Sequence, residues 1–553
     1  MKHLLIALLL VSVIACTEQT TQPATDAVAS AHPAATQAGI DILKQGGNAF
    51  DAAVAVSAAL AVVEPYGSGM GGGGFWLLHR ARDKKQVMID GRETAPSKAH
   101  RDMYLDKQGK PVKSASVDGA LSAGIPGLPA ALVHLSKEYG NLPLATSLEP
   151  AIKLAKEGFA VNKHYQRLAK FRQPVLASTA SAKAIFLDQG NVPVLGAIIY
   201  QADLAETLDA LALQGFAGFY KGQVAEKLVE GVQQAGGIWT AQDLANYSIV
   251  EREPITITYK GMNITSASLP SSGGLVLALT LNILEQYDLV NMTEAERVHV
   301  VVEAMRRAYR ERAIHMGDSD FVDVPSKQLI TKLYAKQLSE NLSLDKASTS
   351  AELTGLNEIE GHDTTHFSVL DSEGNRVSAT LSINYPFGSG FVPEGTGVLL
   401  NDEMDDFSIK PGTPNVYGLV GGTANAIEPG KRMLSSMSPT FFETDEKVGI
   451  LGTPGGSRII SMVLLGLLDA DKGKQPESWV NLPRFHHQYL PDEIQHEPNT
   501  FSVEIAKQLS GKGHKLKSVG RQYGNMHAIL WDKKANTTQA ASDGRGEGLA
   551  IVK

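Results

Sequence analysis

A threonine hydroxyl attacks a carbonyl only with help, because it is a weak nucleophile until an adjacent base takes its proton. The run Asp363-Thr364-Thr365-His366-Phe367-Ser368-Val369 offers that help. If the chain is cut between Asp363 and Thr364, Thr364 gains a free α-amine with a pKa of about 7.7 to 8.0, which can act as its own base. Patterning changes here too. From Leu342 to Asp363 the sequence is polar and weakly patterned, and strand-like alternation starts at Thr364. With Ser372-Glu373 in a type I turn and Gly374 left-handed, Asp371 pairs with Asn375 and Thr364 falls opposite Ser382. Directly opposed residues hold their Cβ atoms about 5 Å apart. With a period of two, Thr380, Ser382 and Asn384 line one face beside Thr364, and Leu381 and Ile383 face the core. A polar, half-exposed hairpin without chemistry fits the same segment taken alone.

Further along, Asn401-Asp402-Glu403-Met404-Asp405-Asp406-Phe407 concentrates acid. It lacks the mid-loop glycine and terminal glutamate of a calcium-binding loop, so acids converging on a substrate ammonium or a solvated acidic loop are the two readings. Thr453-Pro454-Gly455-Gly456-Ser457 precedes the apolar run Ile459 to Leu468, which fits a buried helix with Ser457 near its N-cap. Free N–H groups at a helix start attract negative charge, so Gly455 and Gly456 can form an oxyanion hole, although a tight turn uses the same glycines. Gly67-Ser68-Gly69-Met70-Gly71-Gly72 matches a dinucleotide-binding pattern in letters only, because a helix precedes it and a strand follows. Close backbone approach is the better use of those glycines. No G-x-S-x-G elbow occurs, and His486-His487 lacks metal-ligand spacing and reads as a packing pair.

These residues need a rigid frame. Apolar residues recur at helical spacing from Ala35 to Gln45 and stop at Gly46-Gly47, after which Asn48 can cap a second helix to about Val63. Thr293 and Glu296 form a capping box ahead of a long helix that ends at Gly317, with Arg306, Arg307, Arg310 and Arg312 expected on its solvated face. Phe75 to Leu78 with Val87 to Asp90, and His366 to Leu370 with Val377 to Asn384, read as antiparallel strand pairs joined by polar turns. Helices and antiparallel strands come in separate blocks, which predicts an α+β fold of sheets covered by helices.

The 553-residue chain is 43% hydrophobic with a formal net charge of -8, so it can bury a large core and has no general affinity for nucleic acid. It opens with Met1-Lys2-His3 and the apolar run Leu4 to Ile14, the form of a secretory signal too short to span a bilayer. Val13-Ile14-Ala15-Cys16 resembles a bacterial lipobox. This predicts a signal peptide over residues 1–15, lipidation of Cys16, and a Thr-, Gln- and Ala-rich tether over residues 16–29 that anchors the protein to a membrane. The fold is then expected to begin near Ser30. Thr17 after the cysteine points to an exported, periplasmic lipoprotein of the outer membrane, with a plain soluble export signal as the alternative. Cys16 is the one cysteine, so no internal disulfide can form.

In order along the chain stand Asp90-Gly91-Arg92-Glu93-Thr94-Ala95-Pro96, Thr364-Thr365-His366, Asn401 to Phe407, Pro414-Asn415-Val416-Tyr417-Gly418, Leu434-Ser435-Ser436-Met437-Ser438-Pro439-Thr440 and Pro454-Gly455-Gly456-Ser457-Arg458. Together they resemble the γ-glutamyltransferase, or glutathione hydrolase, family from about residue 30 to the C-terminus. The resemblance implies a four-layer αββα N-terminal-nucleophile hydrolase sandwich formed jointly by two autocleavage products. These would be a large subunit of residues 30–363 and a small subunit of residues 364–553. It implies that Thr364 attacks the γ-carbonyl of glutathione or a related compound and passes the γ-glutamyl group to water or to an amino-acid or peptide acceptor. By the same resemblance Arg92, Ser435 and Ser436 hold the substrate α-carboxylate, and Asn384, Glu403 and Asp406 hold its α-ammonium. Gly455 and Gly456 match the oxyanion donors, Tyr417 belongs to a lid over residues 411–422, and no cofactor or metal is implied. Ser382 stands where bacterial relatives commonly have threonine, and Glu403 where many have glutamine. Two rivals remain: an acylase of the same fold acting on a glutaryl side chain, against which Glu403 and Asp406 argue, and a non-catalytic substrate-binding lipoprotein, which needs no cleavage.

Overall fold

The computed structural model describes residues 22–350, 364–410, 412, 415, 419 and 421–553. Cys16, Asp363 and Tyr417 lie outside the described residues. The two large sheets are built from β1 (Ala27–Ser30), β2 (Gly73–Arg80), β3 (Lys85–Gly91), β4 (Val250–Arg252), β5 (Ile255–Tyr259), β6 (Met262–Ser266), β7 (Thr365–Leu370), β8 (Arg376–Ser382), β9 (Thr440–Glu443), β10 (Lys447–Gly452), β11 (His527–Asp532), β12 (Thr537–Ser542) and β13 (Leu549–Val552). The helices that matter for the site are α1 (Pro33–Lys44), α2 (Ala49–Val63), α3 (Lys163–Leu176), α4 (Gly273–Leu284), α5 (Glu294–His315) and α6 (Ile459–Asp471).

One sheet has seven strands in the order β13-β1-β7-β8-β2-β3-β4, the other six in the order β12-β11-β10-β9-β6-β5. Neighbouring strands in both are antiparallel. The sheets face each other through β7, β8 and β10; α1 and α2 cover the first, and α4 and α6 the second. This is the four-layer αββα sandwich.

Local chemistry accounts for the elements nearest the site. Asn48 caps α2 with its side chain on the N–H groups of Phe50 and Asp51, and Asp51 reaches back to the Asn48 N–H. All fifteen residues of α2 are buried. Each fully buried valine or leucine there contributes about 1.5 to 3 kcal/mol. In β8, Val377, Ala379 and Leu381 join the core cluster that contains α2. On the opposite face, Ser378 donates to the Leu451 carbonyl of β10 at 3.2 Å, and Thr380 hydrogen-bonds His366 at 2.9 Å. The hairpin's polar face therefore meets a second sheet and not water, so the half-exposed alternative is corrected. His366 is fully buried between the sheets, and burial, with His527 nearby, holds its pKa well below the usual value. His486 and His487 are buried as well, His486 hydrogen-bonding Ser461 and Gln488.

Two further expectations are corrected. The ordered fold begins before Ser30, because Ala27–Ser30 is a strand between β13 and β7. The arginines of α5 do not form a solvated face: Arg306, Arg307 and Arg312 are buried, and only Arg310 is exposed. Arg306 and Arg307 pair with Glu303 on the same helix, which lets both pack inward.

Candidate functional site

Strands β7 and β8 pair with Leu370 opposite Arg376 and Thr365 opposite Leu381. One step further, Thr364 Oγ1 lies 3.5 Å from Ser382 Oγ, the register expected from the turn. Gly374 closes that turn at φ +90°, and Asp371 accepts from Asn375 and from the Ala49 N–H at the start of α2. The hairpin is thereby fixed to the helix layer behind it. Gly72 passes so close to β8 that an added Cβ would sit 2.1 Å from the Ser382 carbonyl oxygen, so its glycine serves close backbone approach as expected. β8 ends because Asn384 turns left-handed, φ +72°, a conformation asparagine tolerates better than most side chains.

Thr364 lies in the wall of two cavities. Every residue expected to bind substrate, together with Gly456 and the buried Arg312, lines the narrow inner one. The outer one, about 470 Å³, is lined by Gly455, by Glu64 and Tyr66 from the turn after α2, by Lys163 and Arg167 of α3, and by Arg521. Gly455 and Gly456 sit at φ +139° and +56°, which glycine adopts readily, and lead through a short 3-10 turn into α6. Among the described residues neither N–H donates to a backbone carbonyl, as an oxyanion hole requires. The N-cap of α6 is Arg458, one residue beyond Ser457.

The charges of the inner pocket are paired in a way the sequence did not show. Arg92 Nη1 lies 2.6 Å from Glu403 and Nη2 2.5 Å from Asp406, with Glu93 3.6 Å away. Residues expected to read opposite ends of one substrate are thus ion-paired with each other. Burial works against the Arg92 charge, but Glu403, Asp406 and Glu93 outweigh it and raise its pKa. Burial pushes the Glu403 carboxyl well above the usual range although Arg92 opposes the shift. Among the described residues the carboxylate oxygens of Glu403 and Glu93 find no hydrogen-bond donor of good geometry. Burial raises the Glu93 carboxyl as well, so these acids resist ionising together, and a substrate ammonium would favour their charged forms. Asn384 donates to the Asp402 carbonyl at 3.0 Å, Asn415 of the lid segment reaches Asp406 at 3.0 Å, and Leu419 lines the same pocket. On the opposite wall Ser435 accepts from the Met437 N–H, and Ser436 accepts from Arg312 at 3.2 Å.

The family model for gamma-glutamyltranspeptidase matches residues 35–552. This chain belongs to that family. A glutathione hydrolase proenzyme of Escherichia coli K12 is 45% identical over 496 residues, 88% of this chain and 85% of that protein. The crystal structure of a cephalosporin acylase from Bacillus halodurans has a TM-score of 0.85 at 28% identity, covering 96% of each chain. A γ-glutamyltranspeptidase structure from Helicobacter pylori is 41% identical with a TM-score of 0.56, over 58% of this chain and 92% of that one. In this γ-glutamyltranspeptidase-family chain, sequence reasoning missed Arg312 and the outer cavity. The charge pattern placed Arg312 on a solvated helix face, and the outer cavity joins segments more than 300 residues apart in the chain. Among the described residues, His299, Glu303 and His514 have metal-ligand proximity, but Glu303 is committed to Arg306 and Arg307 and none of the three lines either cavity.

Proposed function

We propose that this chain is a proenzyme that cuts itself before Thr364 and then acts as a γ-glutamyltransferase and glutathione hydrolase. The observation that carries the reading is the place of Thr364, between a pocket of paired opposite charges and an open cavity. In the proposed cycle the freed α-amine takes the Thr364 Oγ1 proton as that oxygen attacks the γ-carbonyl. The N–H groups of Gly455 and Gly456 stabilise the oxyanion, and the C–N bond breaks as the α-ammonium passes that proton to the nitrogen of the leaving amine. Water or an acceptor amine then attacks the γ-glutamyl ester and restores the hydroxyl. The inner pocket takes the glutamyl head, its α-carboxylate towards Arg92, Ser435 and Ser436 and its ammonium towards Asn384, Glu403 and Asp406. The outer cavity takes the leaving group and the acceptor.

Purified protein is expected to run as two bands, the smaller beginning at Thr364 by N-terminal sequencing, and to release cysteinylglycine from glutathione. A different first residue would move the nucleophile and undo this mechanism. The likeness to a cephalosporin acylase keeps an acylase as the second reading. Faster turnover of glutaryl-p-nitroanilide than of γ-glutamyl-p-nitroanilide by the purified protein would favour it.

Export and anchoring through Cys16 belong to the same proposal, resting on the lipobox-like Val13-Ile14-Ala15-Cys16. Labelled palmitate is expected to enter the wild type, and Cys16→Ala to leave the signal uncut or the protein free of membranes. Wild type that takes up no label would remove the anchor from the proposal.

A further inference from the structure

An amine that serves as base has to be held as well as released. Thr365 pairs directly with Leu381, which packs in the core cluster containing α2, so the Thr365 side chain lies on the helix side of the sheet. The Thr364 side chain lies on the other side, 3.5 Å from Ser382. Between them runs the Thr364 backbone, whose nitrogen can be approached from either face. On the helix side stands Glu64, the residue that ends α2. It is 5% exposed, and its carboxylate accepts from Thr365 Oγ1 at 2.7 Å and from the Tyr66 hydroxyl at 3.1 Å. Glu64 and Thr364 line the same outer cavity. The turn that Glu64 opens passes directly behind the nucleophile, since a Cβ added to Gly67 would lie 3.4 Å from the Thr364 carbonyl oxygen. A carboxylate at the C-terminal end of a helix opposes the helix dipole, and burial disfavours its charge further, so a cation beside it is stabilising.

We infer that Glu64 is the positioning residue for the α-amine of Thr364. Once the chain is cut, an N–H of that amine donates to the Glu64 carboxylate, which leaves the nitrogen lone pair turned towards Oγ1. The same carboxylate stabilises the ammonium formed when the amine takes the hydroxyl proton, and Glu64 itself takes no proton. This rests on the reading of Thr364 as an N-terminal nucleophile. The other groups facing the cavity are mainly cationic: Lys163, His164 and Arg167 on α3, and Arg521, Arg545 and Glu547 from the C-terminal segment. Arg545 is committed to Glu497 and Asp543. Tyr66 and Tyr523 are neutral, because burial raises the pKa of both. On the inner side Arg92 and Arg312 stand with Glu403 and Asp406. Cations around an amine favour its neutral form, so Glu64 supplies the opposing charge that the ammonium needs.

The test is the pH profile of kcat/KM on γ-glutamyl-p-nitroanilide for wild type and Glu64→Gln, each checked by gel for processing. Activity rises with pH as the α-amine loses its proton, so the acid limb reports the amine of the free enzyme. A neighbouring carboxylate raises that pKa, and its removal lowers it. Glu64→Gln, which keeps the shape and the contacts to both hydroxyls, is therefore expected to move the acid limb down by about one pH unit. Its alkaline plateau should fall about 10-fold or more, because the ammonium formed during attack loses its partner. It should process normally, since the amine does not exist before the cut. A lower rate with an unmoved limb would show that Glu64 only supports the fold, and would overturn the inference. So would a Glu64→Gln protein that stays a single chain, because the carboxylate would then act before the amine exists. If Glu64→Gln yields no soluble protein, Glu64→Asp decides: it withdraws the charge by one methylene, the limb should fall by less than a full unit, and an unmoved limb refutes the assignment. Wild type that is cut at Thr364 but fails on γ-glutamyl-p-nitroanilide would sink the γ-glutamyl reading alone. The limbs are then compared on glutaryl-p-nitroanilide, because the amine serves either acyl group.

Discussion

Thr364→Ala is expected to remain a single chain and to lose at least about 10⁴-fold in turnover of γ-glutamyl substrates, the scale seen when a nucleophile is removed. Two losses combine in it. The hydroxyl that opens the peptide bond before residue 364 is gone, so the α-amine that serves as base is never released. The acyl acceptor is gone as well. Ser382, 3.5 Å away, does not take over, because it has no amine of its own and its hydroxyl already accepts from the Asn384 N–H at 2.7 Å. Thr364→Ser should separate the two effects, keeping the hydroxyl and the amine and therefore cutting and turning over, with a slower rate from looser packing. Gel mobility and kcat/KM on γ-glutamyl-p-nitroanilide check both variants. A processed, active Thr364→Ala protein would end the proposed mechanism.

The second large effect concerns the acids around Arg92. Asp406→Ala leaves Arg92 still paired with Glu403, so the pocket stays compensated and the protein should process normally. It should nevertheless lose about 30- to 5000-fold in kcat/KM on γ-glutamyl-p-nitroanilide, since one partner of the substrate ammonium is missing, and much less on glutaryl-p-nitroanilide, which has no ammonium. Equal losses on the two substrates would show that Asp406 serves the fold. Arg92→Ala differs in kind. It strands Glu403, Glu93 and Asp406 together, and breaking a buried pair in this way typically costs about 3 to 5 kcal/mol. A lowered Tm and incomplete self-cleavage are therefore expected, with loss of substrate binding on top. Full processing at wild-type Tm would mean that the acids take up protons and the pairing contributes little.

The site hairpin was legible because its two strands alternate cleanly and its turn chemistry fixes the register, so Thr364 could be set opposite Ser382 before any tertiary information. Asn48 and the Thr293-Glu296 box were legible for the same reason: capping is local chemistry written within four residues. β1 was not. Ala-Val-Ala-Ser is short and bland, and it becomes a strand only because β13 and β7, both more than 300 residues further along the chain, pair on either side of it. The arginines of α5 failed for a related reason. That helix is polar around much of its circumference, and whether a given arginine meets water, Glu303 or a substrate pocket depends on partners that spacing does not name. The contact between Arg92 and the acids at 403 and 406 is likewise a tertiary event joining residues more than 300 positions apart.

The interleaving of strands has a thermodynamic consequence. In the seven-stranded sheet, β1 comes from before the cut yet lies between β13 and β7 from after it, and β8 from after the cut pairs with β2 from before it; in the other sheet β9 and β6 make a fourth such seam. Folding of the uncut chain is a unimolecular event. Once the bond before Thr364 is gone, unfolding releases two molecules, and recovering the native state requires them to meet. Stability that was independent of protein concentration becomes dependent on it, and dilution lowers the midpoint of unfolding. The single cut thus makes the fold's persistence at low protein concentration depend on how slowly it opens.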